Sequence, residues 1–126
     1  MSDKCNVLYV EDNPANMRLV EQLLKTFPNI ELAGAETAED GLAMAQQSVP
    51  DLILMDINLP GMNGYEALVE LKKIDMTKDV PVVAISANAL ASDVEKGIDA
   101  GFADYITKPI NLQAFFLTIK KHLKLS

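Results

Sequence analysis

The sequence predicts an α/β fold in which helices cover both faces of a parallel sheet of five strands. Short apolar runs alternate five times with segments of helical periodicity along 126 residues, and this alternation is typical of parallel sheets. Two of the runs, Leu52–Met55 and Val82–Ile85, are apolar throughout, as in strands that are covered on both faces. The connections are short, so right-handed crossovers place helices on both sides. We predict one domain, residues 1–126, with the doubly wound strand order 2-1-3-4-5.

An apolar run and a capping sequence mark the first strand and the first helix. The run Asn6–Val10 is predicted as the strand, and an acidic turn follows it. Asn13 can cap the helix, with Pro14 at the first helical position, where its missing N–H costs nothing. The helix is predicted to run to about Thr26, because Pro28 ends the helical pattern.

The second strand is predicted to lie at an edge of the sheet and the third at its centre. Ile30–Ala33 alternates apolar and polar residues, as expected of a strand at a sheet edge. Thr37 caps a second helix predicted over Ala38–Ser48. The third strand, Leu52–Met55, ends at Asp56, and its apolar sequence predicts a central position.

Turn residues separate the third strand from a third helix, predicted over Tyr65–Ile74. The fourth strand, Val82–Ile85, ends at Ser86 and is also predicted to be central. A fourth helix is predicted over Leu90–Ala100, and Gly101 is placed as its C-terminal glycine.

A short fifth strand, Ala103–Thr107, precedes a last helix predicted from Leu112 to about Leu125, with Asn111 as its cap. The helical pattern predicts which residues face the core: Met17, Val20, Leu24, Phe27, Leu42, Ala45, Val49, Leu68, Leu71, Ile74, Ala91, Val94, Ile98, Phe116, Ile119 and Leu123. This arrangement is flavodoxin-like, with a switch point between the first and third strands.

Composition and charge exclude several classes of function. The chain carries 18 acidic and 11 basic residues, for a formal net charge of −7, so its surface repels a nucleic-acid backbone. No apolar run approaches the roughly 20 residues of a membrane helix, so no membrane contact is expected. The single cysteine, Cys5, cannot form an intramolecular disulfide, and the N-terminus lacks the plan of a signal peptide. The sequence therefore predicts a cytoplasmic protein.

Polar residues stand just after four of the predicted strands, and they are Glu11, Asp12, Asp56, Ser86 and Lys108. Parallel strands point their carboxyl ends to one edge of the sheet, so these side chains should converge. Three carboxylates in a small volume raise one another's pKa unless a cation intervenes. The arrangement predicts a divalent cation held by oxygen ligands: Mg²⁺, with Mn²⁺ as a substitute.

A carboxylate beside a metal can act as a nucleophile toward phosphorus, and Asp56 is the central candidate. Lys108 would supply a cation for the phosphoryl oxygens, and Ser86 a hydroxyl donor. Asn58, two residues after Asp56, can offer its backbone carbonyl to the metal.

Over essentially the whole chain the sequence resembles the receiver domain of two-component response regulators. Four stretches in order carry the resemblance: Tyr9–Asn13, Leu54–Gly64, Pro81–Ala87 and Gly101–Pro109. The resemblance implies that Asp56 is the phosphoacceptor, that Glu11 and Asp12 form the acid pair at Mg²⁺, and that Ser86 and Lys108 sense the phosphoryl group. It also implies that Tyr105 is an aromatic switch.

The resemblance further implies a cis peptide bond between Lys108 and Pro109, and X-Pro bonds are the ones for which the cis isomer costs little. It implies a phosphohistidine donor on a histidine kinase or a histidine phosphotransfer domain. The chain would be no conventional enzyme, and would assist its own phosphorylation and dephosphorylation. A downstream protein would bind the face made by the fourth helix, fifth strand and fifth helix. The stretches Asp12–Asn16 and Ser86–Leu90 look most like receivers joined to hybrid histidine kinases.

Three other functions fit parts of the pattern. A flavin-binding electron carrier shares the fold, but Glu11 and Asp12 would repel its phosphate. A phosphohydrolase of the haloacid dehalogenase type also uses an aspartate nucleophile, but requires an acid where this chain has Asn58. A receiver-like scaffold that is never phosphorylated would not need the acid pair Glu11 and Asp12 together with Asp56 and Lys108. Taken singly, each of the polar residues could also be a cap, a turn residue or a solvated charge.

Overall fold

The computed structural model describes residues 4–123. Within this range strands and helices alternate along the chain. The strands are β1 (Cys5–Val10), β2 (Ile30–Ala35), β3 (Leu52–Asp56), β4 (Val82–Ser86) and β5 (Asp104–Thr107). The helices are α1 (Pro14–Leu24), α2 (Ala38–Gln47), α3 (Gly64–Lys73), α4 (Ala91–Ala100) and α5 (Leu112–Leu123). None of these helices is long and apolar enough to cross a membrane.

The strands form one parallel sheet in the order β2-β1-β3-β4-β5. This confirms the predicted flavodoxin-like class and strand order. Every residue of β3 and of β4 is buried, as expected of strands covered on both faces. The apolar runs that form most of these two strands therefore determine the centre of the sheet.

Two apolar layers pack against the two faces of the sheet. One contains Leu8 and Val10 of β1 together with residues of α2 and α3. The other contains Val7 and Tyr9 together with residues of α1 and α5, including Phe115. Successive residues of a strand point to opposite faces, so β1 contributes alternately to both layers. Tyr9 and Glu11 consequently lie on the same side of the sheet.

Local capping fixes where the helices begin and end. The predicted N-caps form as expected: the side chains of Asn13, Thr37 and Asn111 each accept a backbone N–H in the first turn of their helix. Asn63, which we did not predict as a cap, forms a capping box with Glu66. The backbone at the end of α4 turns into the left-handed region, with φ 118° at glycine 101.

Two predictions of inward-facing residues are wrong at large side chains. Val49 is 39% exposed, because α2 ends at Gln47 and the helical spacing no longer applies beyond it. Ile98 is 44% exposed, because α4 buries only Gly97 and packs over an edge strand. Ala91 is exposed for the same reason.

Other differences concern boundaries and the face of the last helix. β2 extends to Ala35, two residues beyond the predicted end, and so carries its pairing with β1 up to the edge where the acidic residues lie. α1 ends at Leu24 rather than near Thr26. In α5 Phe115 is fully buried and the predicted core residue Phe116 is half-buried. The predicted helix end near Leu125 lies outside the described residues.

Candidate functional site

The three carboxylates that the sequence places after β1 and β3 do come together. Carboxylate oxygens of Glu11, Asp12 and Asp56 lie within 4.8 Å of one another. Parallel pairing of Val10 with Met55 brings the ends of β1 and β3 side by side, and this produces the cluster. Glu11 and Asp56 are buried, whereas Asp12 is exposed. The cluster thus has a dry side and a side that faces solvent.

Lys108 joins this cluster from the far end of the chain. Its Nζ lies 3.0 Å from Glu11 Oε1 and 3.2 Å from Asp56 Oδ2. The side chain of Lys108 is 21% exposed, against 1% for Glu11 and 5% for Asp56. The peptide bond between Lys108 and Pro109 is cis, the isomer that the resemblance implies. One largely buried ammonium group therefore contacts both buried carboxylates and offsets part of their charge.

Ser86 and Asn58 connect β4 to the cluster. The Asn58 backbone N–H donates to Asp56 Oδ1 over 2.9 Å, and the Asn58 side-chain amide donates to Ser86 Oγ over 3.3 Å. Ser86 Oγ also accepts the backbone N–H of Asn88 over 3.1 Å. The sequence assigned Asn58 a carbonyl role toward metal and missed its amide. The amide links the hydroxyl of Ser86 to the loop that carries Asp56.

Tyr105 lies on β5, the outermost strand on this side of the sheet, and is half-buried. Its hydroxyl donates to the backbone carbonyl of Asn88 over 2.8 Å. Its ring lies against Gly97, where an added Cβ would approach Tyr105 Cδ2 to 2.7 Å. Asn88 is thereby held on one side by Ser86 and on the other by Tyr105. The sequence indicates that Asn88 flanks the site, but neither its backbone bonds nor the contact at Gly97 could be predicted from it.

Tyr9 is a residue of this site that sequence reasoning missed. It is fully buried, and its hydroxyl donates to Glu11 Oε1 over 2.9 Å. The signal available in the sequence is the spacing of two residues on a strand, which places both side chains on one face. The backbone N–H of Asn13 donates to the other oxygen of Glu11, Oε2, over 3.3 Å.

The two buried carboxyl groups differ in proton affinity. Burial raises the pKa of Asp56 to about 6, and the neighbouring Glu11 carboxylate contributes to the rise. Burial alone would raise the pKa of Glu11 too, but hydrogen bonds from Asp56, Lys108 and Tyr9 outweigh it and hold this pKa at about 2. Near Lys108 the two carboxylates outweigh burial and raise the pKa of the ammonium group. Without metal, Asp56 therefore keeps its proton up to a higher pH than Glu11 does.

This shift predicts a pH-dependent stability in metal-free protein. From the ordinary Asp56 value of 3.8 to about 6, the folded state holds a proton that the unfolded state has lost. Raising the pH through this window removes this proton from the folded state, and with it the proton binding that favours folding. The free energy of unfolding should therefore fall by about 1–2 kcal/mol after solvent screening. Glu11 acts with the opposite sign, but below its ordinary value of 4.5. Urea unfolding with a chelator, from pH about 4.5 to 6.5, measures the slope.

The matched control for this pH dependence is Asp56→Asn, which cannot titrate at that position. The difference in unfolding free energy between wild type and variant isolates the contribution of Asp56. Identical pH slopes in the two proteins would contradict the raised pKa.

The geometry defines a doubly wound α/β protein whose carboxyl edge gathers three carboxylates around one lysine. The family model described as the response regulator receiver domain matches residues 7–120. The chain belongs to this family, and is the receiver domain of a two-component response regulator.

Relatives with names and solved structures agree with the family assignment. The polar-differentiation response regulator DivK of Brucella anthropi is 40% identical over 123 residues, which cover 94% of this chain and 95% of the relative. The receiver domain of the sensor histidine kinase PA1611 from Pseudomonas aeruginosa superposes with a TM-score of 0.87 at 30% identity, covering 96% of this chain and 98% of the other. That crystal structure contains a magnesium ion coordinated in the active-site cleft.

A third match concerns a protein complex. It is the co-crystal structure of the Saccharomyces cerevisiae histidine phosphotransfer signaling protein Ypd1 with the receiver domain of its downstream response regulator Ssk1. The TM-score is 0.88 at 27% identity, with 99% of this chain and 92% of the other covered.

Proposed function

We propose that this receiver domain accepts a phosphoryl group from a phosphohistidine onto Asp56. The observation that carries the proposal is the position of the Asp56 carboxylate at the buried end of β3, beside two further acids and in contact with Lys108. We further propose that residues 1–126 act as one domain in the cytoplasm. The match over residues 7–120 and the absence of a membrane-spanning helix among the described residues are consistent with this.

The donor set fits Mg²⁺, with Mn²⁺ as a substitute. Mg²⁺ keeps several waters and is bound through one or two carboxylates plus phosphate oxygens. Asp12 is exposed and can meet a hydrated ion, and Glu11 and Asp56 offer carboxylate oxygens within reach. The backbone carbonyl of Asn58 is assigned as a further ligand. When bound, the ion would neutralise charge that develops on the phosphoryl oxygens. The magnesium in the PA1611 receiver supports this assignment.

The side chains of the edge have separable roles in the transfer. An Asp56 oxygen forms the new bond to phosphorus, the bond from phosphorus to the histidine nitrogen breaks, and the leaving imidazole takes up a proton. Lys108 already touches Asp56 Oδ2 and would move onto a phosphoryl oxygen. Ser86 would donate its hydroxyl to another. Water later hydrolyses the aspartyl phosphate, which returns the protein to its starting state.

The bonds around Asn88 suggest how the modified site would reach a partner. If the Ser86 hydroxyl turns to the phosphoryl group, its hydrogen bond with the Asn88 backbone N–H must change. Asn88 is also bonded to Tyr105, because its backbone carbonyl accepts the Tyr105 hydroxyl. We propose that Tyr105 then alters the face of α4, β5 and α5. The exposed large apolar side chains of α4, of its N-cap and of α5 are candidates for covering by a downstream protein: Leu90, Ile98, Leu112 and Leu117.

Gly97→Ala should disturb this switch without touching the acidic cluster. The added methyl group would lie 2.7 Å from Tyr105 Cδ2, so the ring must shift, and we expect this shift to weaken its bond to Asn88. We expect a loss of about 1–3 kcal/mol of unfolding free energy, as for other overpacked sites. Ring resonances of Tyr105 should shift, measured by NMR together with urea unfolding.

Gly34→Ala is the matched control, because its added methyl meets only the end of the flexible Met17 side chain. An unchanged Tyr105 resonance in Gly97→Ala would contradict the assigned contact.

The test of the proposed function separates single modification from turnover. Protein with Mg²⁺ and a phosphorylated histidine phosphotransfer domain should gain one phosphoryl group, measured by intact mass. Sustained release of phosphate from phosphomonoesters would instead favour the phosphohydrolase of the haloacid dehalogenase type. No phosphoryl gain from any phosphohistidine donor or from acetyl phosphate would favour the unphosphorylated scaffold.

A further inference from the structure

Tyr9 occupies an unusual position for a tyrosine whose ring is entirely in the core. It lies on β1 between Gly34 of β2 and Leu54 of β3, and none of its surface is exposed. Its ring belongs to the apolar layer beneath α1 and α5. Its hydroxyl nevertheless reaches the carboxyl edge and lies 2.9 Å from Glu11 Oε1. The position of Tyr9 on β1 and the packing of its ring therefore hold this hydroxyl beside Glu11.

The hydroxyl must be the donor in this contact. An ionised carboxylate only accepts hydrogen bonds, and a buried phenol requires a partner. Phenylalanine would fill the same space in the core, since the ring alone makes the apolar contacts. What the hydroxyl adds is a bond to one particular oxygen of the acidic cluster.

Besides the neighbouring Asp56 carboxyl group, three donors contact Glu11, and they differ in how firmly they are held. Oε1 accepts from Tyr9 Oη and from Lys108 Nζ, and Oε2 accepts from the backbone of Asn13. Lys108 is shared with Asp56 and moves to the phosphoryl group in the function proposed above. Tyr9 is the side-chain donor to Glu11 that is locked in the core. It can hold the carboxylate when Lys108 leaves.

We propose that Tyr9 is a positioning residue that orients the Glu11 carboxylate toward the divalent cation. This inference rests on the proposed function, because it assigns a cation to the cluster of Glu11, Asp12 and Asp56. Donors that orient a metal-binding side chain change metal affinity by about 10–100-fold when they are removed. Glu11 is one of three carboxylates in the cluster, so the lower end of this range applies.

The experiment is an NMR titration of the full chain with Mg²⁺, for wild type and Tyr9→Phe. We expect the dissociation constant for Mg²⁺ to rise by about tenfold in the variant. Phosphoryl labelling by acetyl phosphate should need correspondingly more Mg²⁺, with the rate at saturating Mg²⁺ within about twofold of wild type because Asp56 and Lys108 are intact. Tyr65→Phe is the matched control, since Tyr65 lies on α3 against Phe102 and outside the cluster.

A purely structural role for the hydroxyl predicts a different pattern. Tyr9→Phe would then lower the unfolding midpoint but leave the Mg²⁺ dissociation constant unchanged, and this result would overturn the inference. A double-variant cycle gives an independent check. In a Glu11→Asp background the carboxylate is one methylene shorter and withdraws from Tyr9, so adding Tyr9→Phe should have almost no further effect on the dissociation constant. An undiminished effect would mean that Tyr9 does not act through Glu11.

Failure of this inference can be distinguished from failure of the proposed function. A wild type that binds Mg²⁺ but accepts no phosphoryl group overturns the function, and the Mg²⁺ titration still tests Tyr9. Should Tyr9→Phe not fold, the wild type labelled with ¹³C at tyrosine Cζ replaces it. The Tyr9 signal should move with Mg²⁺ while the Tyr65 signal stays. A stationary Tyr9 signal would overturn the inference.

Discussion

Replacing Asp56 by asparagine should abolish phosphoryl labelling and at the same time make the protein more stable. The amide keeps the size of the side chain but removes the nucleophilic oxygen charge. Near neutral pH it also removes a buried negative charge whose pKa is raised to about 6 beside Glu11. We expect the free energy of unfolding to increase by about 1–2 kcal/mol after solvent screening. Intact mass after treatment with acetyl phosphate and Mg²⁺, and urea unfolding with a chelator, measure the two effects.

The opposite signs of these effects exclude general damage as the cause of lost labelling. The control is Asp75→Asn, because the side chain of Asp75 is 96% exposed and lies in the connection that leads from α3 to the amino end of β4. This variant should keep both wild-type labelling and wild-type stability. Full labelling of Asp56→Asn would show that another acid is the phosphoacceptor.

Replacing Lys108 by alanine should slow labelling and destabilise the protein. Lys108 is the cation that Glu11 and Asp56 share, so its loss leaves two buried carboxylates facing each other. We expect a loss of about 2–4 kcal/mol of unfolding free energy in chelator. The labelling rate at saturating Mg²⁺ should fall by about 10²–10³-fold, because an electrostatic partner of the phosphoryl oxygens is missing.

Mg²⁺ binding separates the two roles of Lys108. The ammonium group competes with a divalent cation for the same carboxylates, so Lys108→Ala should bind Mg²⁺ at least as tightly as wild type. Saturating Mg²⁺ should also restore part of the lost stability. Lys78→Ala is the control, since Lys78 is half exposed and its ion pair with Asp75 spans 3.7 Å. Weaker Mg²⁺ binding in Lys108→Ala would contradict the shared-cation arrangement.

The fold was predictable because its main determinants are patterns along the chain. The apolar runs of β3 and β4 place these strands at the centre, and strand polarity then sends Glu11, Asp56 and Lys108 to one edge. Helix caps such as Asn13 depend on a few adjacent residues and were also predictable. The predictions failed where packing depends on distant elements, as at Ile98, which α4 leaves exposed over an edge strand.

The hydrogen bonds within the site were less predictable than the identities of the residues that form it. The amide of Asn58 reaches Ser86, and the Asn88 backbone links Ser86 to Tyr105, through distances that no spacing in the sequence specifies. Tyr9 looks like an ordinary aromatic strand residue until its hydroxyl is placed beside Glu11. Side-chain hydrogen bonds depend on rotamers and on the relative positions of strands, and these follow from the packed structure.

The most direct test of the central assignment is to locate the transferred phosphoryl group. The protein is phosphorylated by a phosphohistidine donor with Mg²⁺, the aspartyl phosphate is reduced with borohydride to homoserine, and the peptides are sequenced by mass spectrometry. We predict homoserine at position 56 and unmodified aspartate at position 12. Homoserine at another acid, or none at position 56 in protein that has gained a phosphoryl group, would contradict the assignment of Asp56 as the phosphoacceptor.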